Sequence, residues 1–126
     1  MTCSACLAPT SVRAGLTRWL MKQGDIVMIE FPFSDASEKK LRPAVVLSNE
    51  RYNGYANVLL AGIYGRKQPL SVRLTNADLE KQRLRKVSYV SMQNVFSAQK
   101  SLIKYTIDAL TGRACKNILT EFGKYL

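Results

Sequence analysis

The fold is decided by Gly24-Asp25-Ile26-Val27-Met28-Ile29-Glu30-Phe31-Pro32-Phe33-Ser34-Asp35 and, after a polar loop, by Leu41-Arg42-Pro43-Ala44-Val45-Val46-Leu47-Ser48-Asn49. Both stretches are rich in β-branched and other apolar residues, which predicts two β-strands. Proline lacks a backbone N–H and biases the residue before it toward an extended backbone, so Arg42-Pro43 suits the start of the second strand. The layout presents one guanidinium at a defined place beside a basic loop (Lys39, Lys40), which suits binding a phosphate.

The rest of the chain after Met21 is also predominantly β. Short strands are predicted at residues 26–31, 44–48, 57–63, 70–74 and 86–91. Thr75 and the residues after it resemble a helix cap, which predicts one turn of helix near residues 78–81. From Thr111 onward, apolar residues recur at three- and four-residue steps, which predicts a C-terminal helix with one apolar stripe: Ala114, Cys115, Ile118, Leu119, Phe122 and Leu126. The predicted fold class is mainly β (α+β), a small SH3-like barrel of about five to seven short strands with that helix.

Composition limits the possible functions. The chain has 126 residues, which is the size of a single domain, and a net charge of +10 from 19 basic and 9 acidic residues. That surplus favours a polyanionic partner, nucleic acid first, although a soluble protein with one charged face is the alternative. No run approaches the ~20 apolar residues of a membrane span. Three cysteines form no even disulfide set, so a cytoplasmic location is expected.

The chain contains no histidine. This excludes a ribonuclease that uses two imidazoles as acid and base, as well as Ser-His-Asp and Cys-His hydrolases. Carboxylates are not clustered at metal-ligand spacing either, so we predict neither a metal nor another cofactor. Any catalysis must rely on Arg, Lys, Tyr, Ser, Gln, a carboxylate or the nucleic acid itself.

Residues 1–20 differ from the rest because they are rich in Ala, Ser, Thr and Cys and lack acids. We predict that they are an N-terminal extension, either poorly ordered or the product of an upstream start codon, and that residues 21–126 form the domain. The alternative is a short amphipathic helix around residues 12–20 that docks onto the domain through Trp19.

The first two strands, in this order and at this spacing, resemble the MazF/PemK family of bacterial and archaeal toxin ribonucleases. Members of that family open with a Gly-Asp-Ile-Val-like strand and follow with Arg-Pro-Ala-Val-Val-Leu-Ser. The likeness runs from about Lys22 to Leu126 and includes residues 57–63 and 88–97. It implies an SH3-like fold and a metal-independent endoribonuclease that cuts single-stranded RNA as one component of a toxin–antitoxin system. It also implies a homodimer, a cognate antitoxin whose acidic tail fills a basic groove, and operator DNA bound together with that antitoxin.

The resemblance also implies catalytic residues. The arginine of the family's Arg-Pro motif, here Arg42, would face the pentacoordinate phosphorane that forms when a 2′-hydroxyl attacks phosphorus. The alternative for Arg42 is a structural arginine bonded to a carboxylate of the preceding loop. Tyr64 stands where the family has a threonine or serine after the third strand. Ser91 and Gln93 stand where some members carry Arg and Asp, and Ser97 stands in the place of a threonine. The implied catalytic set is therefore Arg42, Tyr64, Ser97 and Gln93.

Further cations and aromatics predict an RNA-binding surface. Lys39, Lys40, Arg66 and Lys67 lie in two loops that a barrel could bring together, and Tyr52, Tyr55 and Tyr64 add surfaces for base stacking. The alternative is a set of solvated loops with half-buried tyrosines. The basic segment 81–86 is interpreted as a solvated surface outside the pocket.

Two other functions remain open. One is a catalytically weak nucleic-acid-binding barrel that acts in autoregulation with its antitoxin. The other is an SH3-like protein-interaction module, against which the excess of cations argues.

Overall fold

The computed structural model of the chain describes residues 21–30 and 41–126. The predicted N-terminal extension, residues 1–20, lies outside the described residues. So do Lys39 and Lys40 and the loop carboxylates proposed as alternative partners of Arg42.

Six strands and a C-terminal helix form the described fold, which confirms the predicted mainly β class. The strands are β1 (Asp25–Glu30), β2 (Leu41–Val46), β3 (Asn57–Tyr64), β4 (Ser71–Leu74), β5 (Ser88–Gln99) and β6 (Ile103–Ala109). Helix α1 (Glu50–Asn53) is a single turn between β2 and β3, and α2 (Gly112–Gly123) is the C-terminal helix. Short 3-10 helices lie at Asn76–Asp78 and Lys100–Leu102.

All six strands belong to one antiparallel sheet in the order β4-β5-β3-β2-β1-β6. The two strands quoted first are neighbours, with Ile26 opposite Val45. On the other side of β2, Ala44 lies opposite Gly62 of β3. The sheet is therefore built outward from the hairpin that the sequence identifies first.

Both faces of the central strands are buried. Successive residues of a strand point to opposite faces, so Ile26 enters one apolar cluster while Val27 enters another. The first cluster lies under α2 and includes Val45, Ala61, Ala114 and Ile118. The second is formed by Met21, Val27, Ile29, Ala44, Val46, Val58, Leu60, Ala98 and Ile103. Burial on both faces explains why β2 reads as a continuous apolar run rather than an alternating one.

Helix α2 begins where the sequence predicts. The side chain of Thr111 accepts a hydrogen bond from the backbone N–H of Ala114, at 3.3 Å, so Thr111 is the N-cap. Ala114 and Ile118 of the predicted stripe are buried, and Cys115, Leu119 and Phe122 pack beside them. Leu126 does not belong to the stripe, because it lies beyond the end of the helix and is 89% exposed. Burial raises the pKa of the Cys115 thiol, as expected for a packed rather than a reactive cysteine.

The two ends of the sheet are joined through Asp108 of β6. Its carboxylate accepts hydrogen bonds from the backbone N–H groups of Lys81 (2.8 Å), Arg83 (3.0 Å) and Ala109 (2.8 Å). Next to it, Leu79 bridges Leu110 in the antiparallel sense. Burial alone would raise the pKa of Asp108, but the three N–H donors and the charge of Arg83 outweigh burial and lower it. The segment after β4 is thereby tied to the end of β6, and the sheet bends back on itself.

The structure differs from the sequence prediction in four local elements. The helical turn expected at 78–81 is a 3-10 helix at Asn76–Asp78, because the Asp78 carboxylate accepts from the backbone N–H of Thr75 and fixes the turn earlier. Strand β6 was not predicted, although it brings the total to six, within the expected range. Helix α1 was not predicted either, and β5 runs to Gln99, well past residue 91.

In the ranges that the structure describes, no helix is both long and apolar enough to cross a membrane.

We expect Asp108→Asn to destabilise the fold at neutral pH. An amide presents one acceptor oxygen where the carboxylate has two, so a buried N–H is left unpaired, at a cost of about 1–3 kcal/mol. The pKa of Asp108 is lower in the folded protein than in the unfolded chain. The ionised carboxylate therefore contributes fully to folding stability above the unfolded-state pKa of about 4. That contribution is lost as the pH falls through the folded-state pKa. Urea unfolding at several pH values should therefore show the gap between parent and variant narrowing below about pH 4.

The matched control is Glu121→Gln. Glu121 pairs with Lys124 at the surface of α2. The free energy of unfolding of the Glu121→Gln protein should therefore stay within about 0.5 kcal/mol of the parent value. Equal stability of Asp108→Asn and Glu121→Gln at pH 7 would contradict the closing role of Asp108.

Candidate functional site

A hollow of about 440 Å³ opens at the end of the sheet where β2 begins and β3 ends. We call it the Arg42 hollow. Its lining residues come from β2, β3, the following loop and the start of β5: Leu41, Arg42, Pro43, Ile63, Tyr64, Gly65, Lys86 and Ser88. A larger hollow of about 550 Å³ lies beside α2, but Lys116 is its single cation and Glu80 shares its lining. The Arg42 hollow is the better candidate, because it carries two cations and a phenol without a carboxylate.

Arg42 and Tyr64 reach this hollow through the register of the sheet. Ala44 lies opposite Gly62, and continuing that pairing by two residues brings Arg42 of β2 next to Tyr64 of β3. Arg42 also lies opposite Ile29 of β1, where Pro43 follows it at the start of the strand. The side chain of Arg42 is exposed and that of Tyr64 is half-buried. Two of the four predicted catalytic residues are therefore brought together.

The phenol of Tyr64 is held by Asn94, a residue that the sequence reading did not single out. The Asn94 side-chain amide donates a hydrogen bond to the Tyr64 hydroxyl. Gly62 makes room for this pair: a methyl group there would lie 2.8 Å from Asn94 Nδ2 and 3.2 Å from Tyr64 Cε2. Because the phenol oxygen accepts from Asn94, its own proton is available to another acceptor.

Asn94 reaches Tyr64 because β5 bulges. Ala61 lies opposite Val95, but Ile63 lies opposite Val90, so β5 carries extra residues between these pairs. The buried hydroxyl of Ser91 accepts hydrogen bonds from the backbone N–H groups of Gln93 (3.2 Å) and Asn94 (3.1 Å) and shapes the bulge. Ser91 is thus tied to the backbone of the bulge, and the bulge aims Asn94 at the site.

Lys86 is a second cation of the hollow. A methyl group on Gly65 would lie 2.7 Å from Lys86 Cε and 2.8 Å from its Nζ, so the lysine side chain lies directly over the glycine backbone. The interpretation of segment 81–86 as a surface outside the pocket is therefore wrong for Lys86. Sequence reading misses it because the residue lies more than twenty positions from Tyr64 and enters through strand pairing.

The other predicted residues are scattered. Arg66 and Lys67 are exposed in the loop that directly follows Gly65, at the rim of the hollow. Gln93 is exposed beside Asn94 but does not line the hollow. Ser97 lies opposite Leu59 and Tyr52 lies on α1, both toward the opposite end of the sheet. Within one chain, the structure does not place Ser97 or Tyr52 with Arg42.

The arrangement can bind an anion and donate hydrogen bonds to it. A guanidinium and an ammonium supply positive charge, and the phenol supplies a neutral donor. Across residues 21–30 and 41–126, no group of three or more His, Cys, Asp or Glu side chains is arranged to hold a metal ion.

Comparison with known proteins gives a family match over most of the chain. A family model described as PemK-like, MazF-like toxin of type II toxin-antitoxin system matches residues 22–126. Among curated proteins, none matches this sequence significantly.

Solved structures share the fold at low sequence identity. MazE–MazF from Deinococcus radiodurans superposes with a TM-score of 0.67 at 19% identity, covering 84% of this chain and 95% of that one. A mycobacterial endoribonuclease in complex with its cognate antitoxin gives a TM-score of 0.65 at 16% identity, covering 83% and 91%. Mycobacterium tuberculosis toxin MazF-mt6 gives 0.63 at 19%, covering 79% and 93%. Identities this low establish a common fold.

We expect Ser91→Ala to loosen the bulge of β5. The substitution removes the acceptor of two backbone N–H groups at a position that is 4% exposed, which should lower stability by about 1–3 kcal/mol. Hydrogen exchange measured by NMR should become faster at the amides of Gln93 and Asn94 in particular.

Ser97→Ala is the matched control, since it is the same substitution at an exposed position of the same strand. It should change the free energy of unfolding by less than about 0.5 kcal/mol. Unchanged exchange at Gln93 and Asn94 in Ser91→Ala would show that the bulge does not depend on the hydroxyl.

Proposed function

This chain belongs to the PemK-like, MazF-like toxins of type II toxin–antitoxin systems, and we propose that it is a metal-independent endoribonuclease that cleaves single-stranded RNA. The observation that carries the proposal is that Arg42, Tyr64 and Lys86 all line one hollow. The solved structures that share its fold include proteins named as endoribonucleases, which supports the same activity.

The reaction needs only the RNA, the protein and water. The 2′-hydroxyl passes its proton to a solvent water as its oxygen forms a bond to the adjacent phosphorus. The bond from phosphorus to the 5′-oxygen then breaks, and that oxygen takes a proton back from the solvent. The products are a cyclic phosphate and a 5′-hydroxyl, and atoms and charge balance without a redox partner.

Arg42 is assigned to the phosphorane. Its planar guanidinium can donate two parallel hydrogen bonds to non-bridging phosphate oxygens. Negative charge grows on those oxygens in the transition state, so a fixed cation stabilises the transition state more than the bound RNA. Lys86, which lines the same hollow, supplies a second positive charge.

Tyr64 is assigned as a hydrogen-bond donor to the phosphate or to the departing 5′-oxygen. Its hydroxyl oxygen is occupied as the acceptor of the Asn94 amide, so the phenol proton is directed elsewhere. Gln93 beside Asn94 and the exposed cations Arg66 and Lys67 at the rim are assigned to the RNA strand as it enters.

The partners follow from the same assignment. The net charge of +10 suits an antitoxin with an acidic tail, and matched structures include a toxin with its cognate antitoxin and MazE–MazF. We assign to this chain a cognate antitoxin, a homodimeric state, operator DNA bound jointly with the antitoxin, and a cytoplasmic location.

One observation favours a second candidate, a nucleic-acid-binding barrel with little catalytic activity. The described lining of the Arg42 hollow contains neither a carboxylate nor an imidazole, the usual groups for taking the 2′-hydroxyl proton. Cleavage in EDTA and the effects of Arg42 and Tyr64 variants distinguish the two functions.

The nuclease proposal predicts cleavage of single-stranded RNA in excess EDTA. Ends should map as a cyclic phosphate and a 5′-hydroxyl, identified by their resistance to ligation without phosphatase and kinase treatment. Activity that disappears in EDTA and returns with magnesium would overturn the mechanism.

In the same assay, Arg42→Ala should lower the cleavage rate about 10²- to 10³-fold, the usual effect of removing one transition-state donor. Arg51→Ala is the matched control, because Arg51 is an exposed arginine on α1 at the other end of the sheet. Equal losses in both variants would point to general charge rather than to the hollow, and an unfolded Arg42→Ala would assign Arg42 a structural role.

Tyr64 separates the nuclease from the binding barrel. If the phenol donates to phosphate, Tyr64→Phe should slow cleavage while RNA affinity stays nearly constant. If the ring stacks on a base, Tyr64→Phe should be silent and Tyr64→Ala should weaken RNA binding by about 1–3 kcal/mol. Variants that match the parent in both cleavage and binding would remove Tyr64 from the site.

A further inference from the structure

We propose that Tyr89 and Arg73, which share a row across the sheet with Tyr64 and Arg42, form a base-stacking subsite that binds an RNA nucleotide flanking the cleaved phosphate. The inference rests on the proposed function for the identity of the ligand. It adds two residues that the sequence reading assigned no role.

Side chains on four neighbouring strands form a row. Arg73 of β4 lies opposite Tyr89 of β5, and Tyr89 lies opposite Tyr64 of β3. The β2–β3 register then brings Arg42 next to Tyr64. The row therefore reads cation, aromatic, aromatic, cation across four adjacent strands.

All four residues belong to one face. Paired residues of an antiparallel ladder point to the same side of the sheet. Tyr64 lies on the same face of the sheet as Gly62, and its ring covers the space that a side chain at position 62 would occupy. Gly62 lies opposite Ala44, and Arg42, two residues before Ala44, shares that side as well.

The row is accessible. Arg42 and Arg73 are exposed, and Tyr64 and Tyr89 are half-buried. Adjacent strands are about 4.8 Å apart, so the two arginines at the ends of the row are separated by roughly 14 Å. That span accommodates a short extended stretch of single strand running across the strands, with one cation at each end.

The chemistry matches single-stranded nucleic acid. Aromatic side chains on a sheet surface stack on bases without regard to sequence, and flanking cations contact the backbone. Within the described ranges, no carboxylate engages the guanidinium of Arg73; the two ion pairs found there are Lys104–Glu30 and Lys124–Glu121.

Two exposed tyrosines, Tyr52 and Tyr55, lack this arrangement. Tyr52 and Tyr55 flank a hollow at the opposite end of the sheet, and its lining, completed by Ala56 and Asn57, contains no charged residue. They make a matched control surface: tyrosines of the same chemistry, away from the row.

The contacts of Tyr64 and Tyr89 assign them different roles. Tyr64 is committed through its hydroxyl to Asn94, which leaves its ring folded over Gly62. Tyr89 has no such bond within the described residues. It is the ring of the row that can meet a base.

The test is binding of a fluorescent single-stranded RNA of about ten nucleotides, fully 2′-O-methylated so that it cannot be cleaved. Tyr89→Ala should weaken binding roughly 5- to 150-fold, while Tyr89→Phe should bind like the parent. Arg73→Ala should lower the dependence of log K on log salt by about 0.7, the value for one phosphate contact on a single strand. Tyr55→Ala should have no effect.

Circular dichroism checks the fold of each variant. Tyr89→Leu keeps apolar volume without a flat ring, and Arg73→Glu changes an exposed residue, so these two replace Tyr89→Ala if that variant unfolds. Both should bind more weakly than the parent. Parent-like binding by folded Tyr89 and Arg73 variants, or an equal loss in Tyr55→Ala, would overturn the subsite.

The experiments distinguish a wrong subsite proposal from a wrong nuclease proposal. Cleavage that depends on Arg42, with binding independent of Tyr89 and Arg73, overturns the subsite and leaves the nuclease. Binding that depends on Tyr89 and Arg73, in a parent that cuts no RNA, supports the subsite as a binding surface and removes the nuclease.

Discussion

The fold depends on one buried carboxylate. Asp108 accepts three backbone N–H groups, two of them from the segment that follows β4 at the opposite edge of the sheet. Without that attachment, β4 and β6 would be open edges of a six-stranded sheet. With it, the sheet bends and its apolar face closes over a core capped by α2. A carboxylate is well suited to this task, because it offers enough acceptor sites for three donors while remaining ionised.

Sequence predicts the centre of this fold better than its edges. The apolar runs of β1, β2 and β3 and the Thr111 cap are local signals, and the structure contains each of them. Strand β6 lacks such a signal: it exposes Tyr105 and buries Asp108, the reverse of what polarity suggests. Its pairing with β1 also shifts register twice. The polarity pattern fails there because a long-range hydrogen-bonding requirement decides which side chains are buried.

In the candidate site, too, some residues are predictable from local sequence and others are not. Arg42 and Tyr64 could be named from motif positions, and register alone brings them together. Asn94 and Lys86 could not, because one depends on the β5 bulge and the other on strand pairing between distant segments. Ser97 and Tyr52 are local matches that the topology separates from Arg42. Motif positions identify Arg42 and Tyr64, whereas the bulge of β5 determines that Asn94 is the neighbour that contacts Tyr64.

The charge distribution links fold and site. The described acids are largely occupied in structure: Asp25 accepts from the backbone of Lys22, Asp78 holds the 3-10 turn, Asp108 joins the sheet ends, and Glu30 and Glu121 pair with lysines on the surface. None of these carboxylates lines the Arg42 hollow, whose charged residues in the described lining are Arg42 and Lys86. Glu30 lies at the same end of the sheet, opposite Leu41, but it pairs with Lys104. The acids named here therefore serve the fold, and the lining of the hollow carries the positive charge that suits an anionic strand.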